Sequence, residues 1–123
     1  MDLVKKDSME ITALALEGLA ARHRAISANI ANANTPDYQP TDVQFEGQLQ
    51  QIIQTNEAKN NHVEIKKPLT YADFKPQIVN GAENNAEMAM SELAKNGMKY
   101  NALAELQSKN YKWMEEIIKT GGR

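Results

Sequence analysis

Residues 9 to 40 read MEITALALEGLAARHRAISANIANANTPDYQP, and this stretch decides the fold. Met9, Leu16, Leu19, His23, Ile26 and Ile30 recur at alternating spacings of three and four, with Thr12 in the remaining slot. That pattern, held over three heptads, predicts a helix with a narrow apolar stripe that packs against one or two partner helices. Alanines at 13, 15, 20, 21, 25, 28, 31 and 33 add helix propensity and let neighbours approach closely. A capping box of Asp7 with Glu10, or a cap at Ser8, sets the start, so the expected helix spans 8–34. Pro36 then disfavours helical geometry at Thr35, and Pro36-Asp37 suits the centre of a type I turn, which needs no positive φ.

Three asparagines, Asn29, Asn32 and Asn34, crowd the end of this helix. Asn is a poor helix-interior residue because its short amide competes for backbone hydrogen bonds. Two readings follow. Either the helix end is frayed and solvated, or the amides bond across subunits where a charge would be costly to bury.

Beyond Pro40, a short second helix capped by Thr41 or Asp42 is expected, with Phe45, Leu49, Ile52 and Ile53 on one side. QTNEAKNNH, from residue 54, reads as loop. Val63-Glu64-Ile65 alternates briefly, but Pro68 and Pro76 limit the rest of 54–82 to extended segments or a short hairpin. A long helix over 84–119 follows, opened by Asn84 with Glu87 and ended by Gly121-Gly122. Its apolar side is Met90, Leu93, Tyr100, Leu103, Leu106, Trp113 and Ile117, with Gly97 and Asn110 as breaks, which makes the stripe locally irregular. The expected fold is mainly α: one domain over 1–123. Its two long terminal helices form an antiparallel coiled-coil-like hairpin, around a middle of 35–83 with a turn, the short helix and a polar extended segment.

The remaining composition excludes more than it selects. With 123 residues and a net charge of −2, the chain has no cationic stripe for a nucleic-acid backbone. It has no cysteine, so neither a disulfide framework nor a thiolate metal site is available. Lys5 and Lys6 precede ITALALEGLAA, but Glu17 and Arg22 interrupt the apolar run well short of a secretory leader or a membrane span. His23 lies on the heptad and His62 in a polar loop, and neither has metal-ligand spacing. No serine sits in a nucleophile elbow and no glycine-rich loop precedes a helix, so neither an enzyme nor a small-molecule substrate or cofactor is expected. Tyr111 and Trp113 read equally well as internal packing and as interface anchors. Joining the terminal helices closes a loop of roughly fifty residues at about 3–4 kcal/mol. A two-helix hairpin covers each seam residue only in part, so neighbouring copies or partners are expected to cover the other faces.

The run Asn29-Ile30-Ala31-Asn32-Ala33-Asn34-Thr35-Pro36-Asp37-Tyr38 resembles the hallmark of the flagellar rod, hook and hook-associated axial family, an Asn-rich segment ending in Asn-Thr-Pro-Gly-Tyr. DVQFEGQL at 42–49 and GMKYNALAELQSKNYKWM at 97–114 look like the proximal-rod members of that family. Asp37 departs from the pattern, standing where the family has Gly. The resemblance implies a non-enzymatic structural subunit, exported without a cleaved signal peptide to the rod in the periplasmic space. It implies self-association in a helical rod. Its other implied partners are other proximal rod proteins, the adaptor FliE, the membrane ring and the flagellar export gate. Leu16, Leu19, Ile26 and Ile30, with Tyr100, Leu103, Leu106, Trp113 and Ile117, would build the coiled-coil interface. Asn29, Asn32, Asn34, Thr35, Pro36 and Tyr38 would hold the junction. Another short rod subunit, or a soluble helical adaptor binding one partner helix, are the alternatives.

Overall fold

The computed structural model describes residues 2–82 and 85–121. In chain order the elements are helix α1 (Asp2–Ala31), strand β1 (Thr41–Gln44), helix α2 (Glu46–Asn60), a 3-10 turn over Tyr71–Asp73, strand β2 (Gln77–Asn80) and helix α3 (Ala86–Gly121). The architecture is the mainly helical one that the heptads imply, with α1 and α3 packed along their length.

Two buried amides fix how the long helices meet. Asn96 Nδ2 donates to the carbonyl of Leu19 at 2.9 Å, and Gln107 Nε2 donates to that of Met9 at 2.8 Å. Moving up α1 from Met9 to Leu19 means moving down α3 from Gln107 to Asn96, so the helices are antiparallel. The α3 seam is then Ala89, Leu93, Asn96, Tyr100, Leu103, Gln107, Asn110, Met114 and Ile117. Its spacings alternate four and three without a break. The expected irregularity disappears because Asn96, Gln107 and Asn110 occupy seam positions that an apolar pattern skips. Met90 and Leu106, expected on the apolar side, lie beside the seam and are exposed.

The other boundaries shift for identifiable reasons. The expected start at residue 8 does not hold, because α1 runs continuously through Asp7 from Asp2. The asparagine run 32–34 forms a turn after Ala31. Residues 41–44 form a strand where a helix cap was expected, and α2 starts only at Glu46 but persists to Asn60, through residues expected to be loop. Strand β2 lies at 77–80, not at Val63–Ile65, and pairs antiparallel with β1, Thr41 opposite Asn80 and Gln44 opposite Gln77. The expected cap at Asn84 lies outside the described residues. Asn85 Oδ1 accepts from the backbone N–H groups of Glu87 and Met88, which caps α3 there. Gly121 is helical, and Gly122 lies outside the described residues.

A compact core forms on the side of α1 that bears the strand pair and α2, bordering α3 at Leu103. Leu19, Val43, Phe45, Ile52 and Phe74 are its buried members, with Ile11, Leu14, Ala25, Leu49 and Leu69 packed around them. Phe45 and Phe74 meet edge to face at 6.4 Å. So α1 is covered by its own chain on two sides, where neighbours were expected to supply that cover.

Candidate assembly interface

The junction after α1 is organised by Asn29. Its Nδ2 donates to the Thr41 carbonyl at 2.8 Å while its Oδ1 accepts from the Thr41 N–H at 3.0 Å. The side-chain amide thus pairs with strand β1 as a neighbouring strand would. Tyr38 donates its hydroxyl to the same Oδ1 at 3.3 Å, which folds the Pro36 turn back onto the helix. Asn32 Nδ2 donates to the Ala28 carbonyl, and Thr35 donates to Asn32 Oδ1. Asn34, Thr35 and Pro36 are exposed. Two of the three asparagines therefore bond within the chain.

Asp37 adopts φ 62°, so the expectation of a turn without positive φ does not hold. The conformation is the one glycine adopts without steric cost, and one that Asp visits more readily than most other residues.

Two turns earlier, Arg22 ties the helix to the strand pair. Its Nη2 donates to the Val43 carbonyl and to Glu46 Oε1, both at 2.6 Å, and its Nε lies 3.9 Å from Asp42. The guanidinium also stands 4.7 Å from the centroid of the Phe45 ring. Partial burial alone would raise the Glu46 carboxyl, but the Arg22 bond and charge outweigh it and hold Glu46 below its ordinary value. Sequence reading did not single out Arg22, because its partners are strand carbonyls and carboxylates some twenty residues on.

The residues expected to build a coiled coil divide into two sets. Leu19 and Ile26 are buried, Leu16, Ile30, Leu103 and Ile117 half-buried, and all lie along the α1–α3 seam. Tyr100 is 37% exposed on the seam, while Leu106 at 48% and Trp113 at 37% stand on the flank of α3. Met98, Tyr111 and Ile118 add further exposed apolar surface to the same helix. Among the described residues, no cluster of His, Asp or Glu could hold a metal ion, and no helix is long and apolar enough to cross a membrane. The geometry is that of a packing surface.

A family model described as flagella basal body rod protein matches residues 9–39, the heptad helix and its asparagine junction. A flagellar basal body rod protein FlgB of Borreliella burgdorferi is 29% identical over 122 residues, covering 85% of this chain and 90% of that protein. Over most of its length the chain is similar to flagellar basal body rod proteins. A second FlgB, of Bacillus subtilis, is 29% identical over 89% of this chain and 90% of its own length. A FlgB of Yersinia ruckeri is 48% identical, but over 40 residues only, which are 32% of this chain and 29% of that protein. The likeness to the rod family thus extends from the matched junction across the strand pair and into α3.

Proposed function

We propose that this chain is a structural subunit of the proximal rod, polymerising through its terminal helices into a hollow shaft that transmits torque and encloses an export channel. Its likeness to flagellar basal body rod proteins along most of the chain supports a structural component of the bacterial flagellum and its basal body, with a part in motility, and implies association with its own copies and with other rod proteins. That role is non-enzymatic.

The observation that carries the finer reading is the division of α3. One face is closed against α1 by buried amides, and the rest presents Met90, Met98, Leu106, Tyr111, Trp113 and Ile118 to solvent. A helix whose apolar residues exceed what its own chain covers is suited to packing against further helices. The 1–123 span acts in this reading as one rod-type unit. The rod lies in the periplasmic space and the chain reaches it without a cleaved leader. Neighbours are the other proximal rod proteins, FliE, the membrane ring and the export gate. The seam residues Leu16, Leu19, Ile26, Ile30 and Leu103 shape the helix pair, and Asn29, Asn32 and Tyr38 brace the junction that carries it.

Deleting the gene in its host and imaging the envelope by electron cryotomography tests this. Basal bodies halted at the membrane ring, without rod or hook, are expected. A complete rod in swimming cells would overturn the reading in favour of a soluble helical adaptor.

A further inference from the structure

The α1–α3 pair has two unlike flanks. On the flank away from the strands, α1 presents Ala13, Ala20 and Ser27 and α3 presents Gly97 and Ala104, each row stepping by seven residues. Between them lies a groove of about 460 Å³ bounded by Ala20, His23, Arg24, Asn96, Gly97, Tyr100 and Asn101. A β-carbon on Gly97 would meet nothing within 4 Å, so this chain does not fill the groove. Glu10 and Glu17 stand one row further out on α1, followed by Arg24. The opposite flank of α3 is a ridge. Leu106 and Trp113 project from it seven residues apart, 48% and 37% exposed, with Lys99 and Lys109 beside them. Lys109 makes an exposed contact with Glu105 at 3.7 Å.

We infer that the Leu106–Trp113 ridge of one copy seats in the α1–α3 groove of a second copy, a contact between two different surfaces that repeats from copy to copy. This rests on the rod-subunit reading and specifies its interface. Where all copies point one way, α3 of one runs antiparallel to α1 of the next. In that sense Trp113 meets Ala13 and Leu106 meets Ala20, because knobs and small residues share the seven-residue step. Lys109 then falls beside Glu17. The one like-charged pair, Glu10 with Glu116, lies beyond the last knob. Because groove and ridge differ, the contact is heterologous and extends into a filament or ring instead of closing as a two-fold dimer.

The test uses the full chain in sedimentation velocity, with circular dichroism on each variant. Trp113→Glu spoils only the ridge and Ala20→Arg only the groove. The unmodified chain is expected to form concentration-dependent oligomers, and each variant alone to associate at least about tenfold more weakly. An equimolar mixture is expected to give a 1:1 dimer and nothing larger, since it contains one intact groove and one intact ridge. Glu17→Lys and Lys109→Glu provide a second pair: each weakens association, and both together in one chain restore it. Variants that oligomerise like the unmodified chain, or stay monomeric when mixed while the charge pair shows no restoration, overturn the contact but leave the rod reading standing. An unmodified chain that is monomeric at every concentration overturns the contact and counts against the polymer itself.

Discussion

The Phe45 ring lies directly on Gly18: a β-carbon built on Gly18 would sit 2.4 Å from the ring's Cγ. This close approach lets the strand pair and α2 dock against the middle of α1. Gly18→Ala gains helix propensity of about 1 kcal/mol and would stabilise an isolated helix. In this protein it must displace a ring that is 4% exposed and held between Arg22 and Phe74. A net loss of about 1–3 kcal/mol is expected by chemical denaturation. A rise in stability would mean that α1 and Phe45 are not in contact.

His62 stands at φ 56°, just past the end of α2. Its N–H donates to the Lys59 carbonyl and the next N–H, of Val63, to that of Ala58, the bonding pattern of a glycine-type helix stop. His62→Gly keeps both bonds and relieves the left-handed strain, so a gain of about 1 kcal/mol is expected in urea unfolding. Asp37→Gly is expected to be neutral or stabilising for the same reason. A loss at either site would show that the side chain supplies more than a tolerated conformation.

Asn29→Asp keeps the shape of the side chain but turns its donor into a second acceptor facing the Thr41 carbonyl. Loss of that bond in a half-buried site is expected to cost about 1–3 kcal/mol. Asn34→Ala, at an exposed position, is expected to stay within about 0.5 kcal/mol. Chemical denaturation of the two variants reads the difference: only Asn29→Asp should lower the midpoint clearly.

Tyr71 donates its hydroxyl to Asp7 at 2.9 Å and accepts from Asn56 Nδ2 at 2.7 Å, joining α1, α2 and the 3-10 turn. Burial, then the bond to Asp7, push its pKa from 10.0 up to about 12. The folded state therefore favours the neutral phenol. Its contribution is complete below about pH 10 and is lost as pH rises through about 12. Alkaline denaturation of Tyr71→Phe should lack this component. An identical pH profile in both proteins would rule out the Asp7 contact.

Gln107 is 7% exposed and its Oε1 has no hydrogen-bond partner among the described residues. The orphaned acceptor offsets what its donor gains at Met9, whose carbonyl also belongs to a helix. Gln107→Met is expected to leave stability unchanged or raise it by about 1 kcal/mol, measured by thermal melting. A clear loss would assign the amide a larger stabilising role than its geometry allows.

How far the sequence revealed this structure depended on the range of the interaction. The α1 heptad was legible because its period is local and its members are mostly apolar. The α3 heptad was obscured because Asn96 and Gln107 enter the seam through bonds to α1 carbonyls, which no apolar pattern records. Strand β1 was missed because its partner lies some thirty-five residues away and its first neighbour is the amide of Asn29. The persistence of α2 to Asn60 depends on the packing of Ile52 and on the stop at His62, neither of which its polar composition announces. For the interface, Leu106 and Trp113 were recognisable as large apolar residues, but whether they faced α1 or solvent required the register of the two helices.

The pairing of Gln44 with Gln77 brings the two ends of the intervening segment side by side. Everything from Phe45 to Pro76 enters and exits through one narrow neck, with α2 and the 3-10 turn docked on α1 in between. Such an excursion can change length at its outer end, between Asn60 and Pro68, while the entry and exit points stay fixed. Each doubling of a flexible loop costs only about 0.6 kcal/mol. The same helical chassis can therefore carry a larger or smaller outward ornament with little disturbance to how its helices stack.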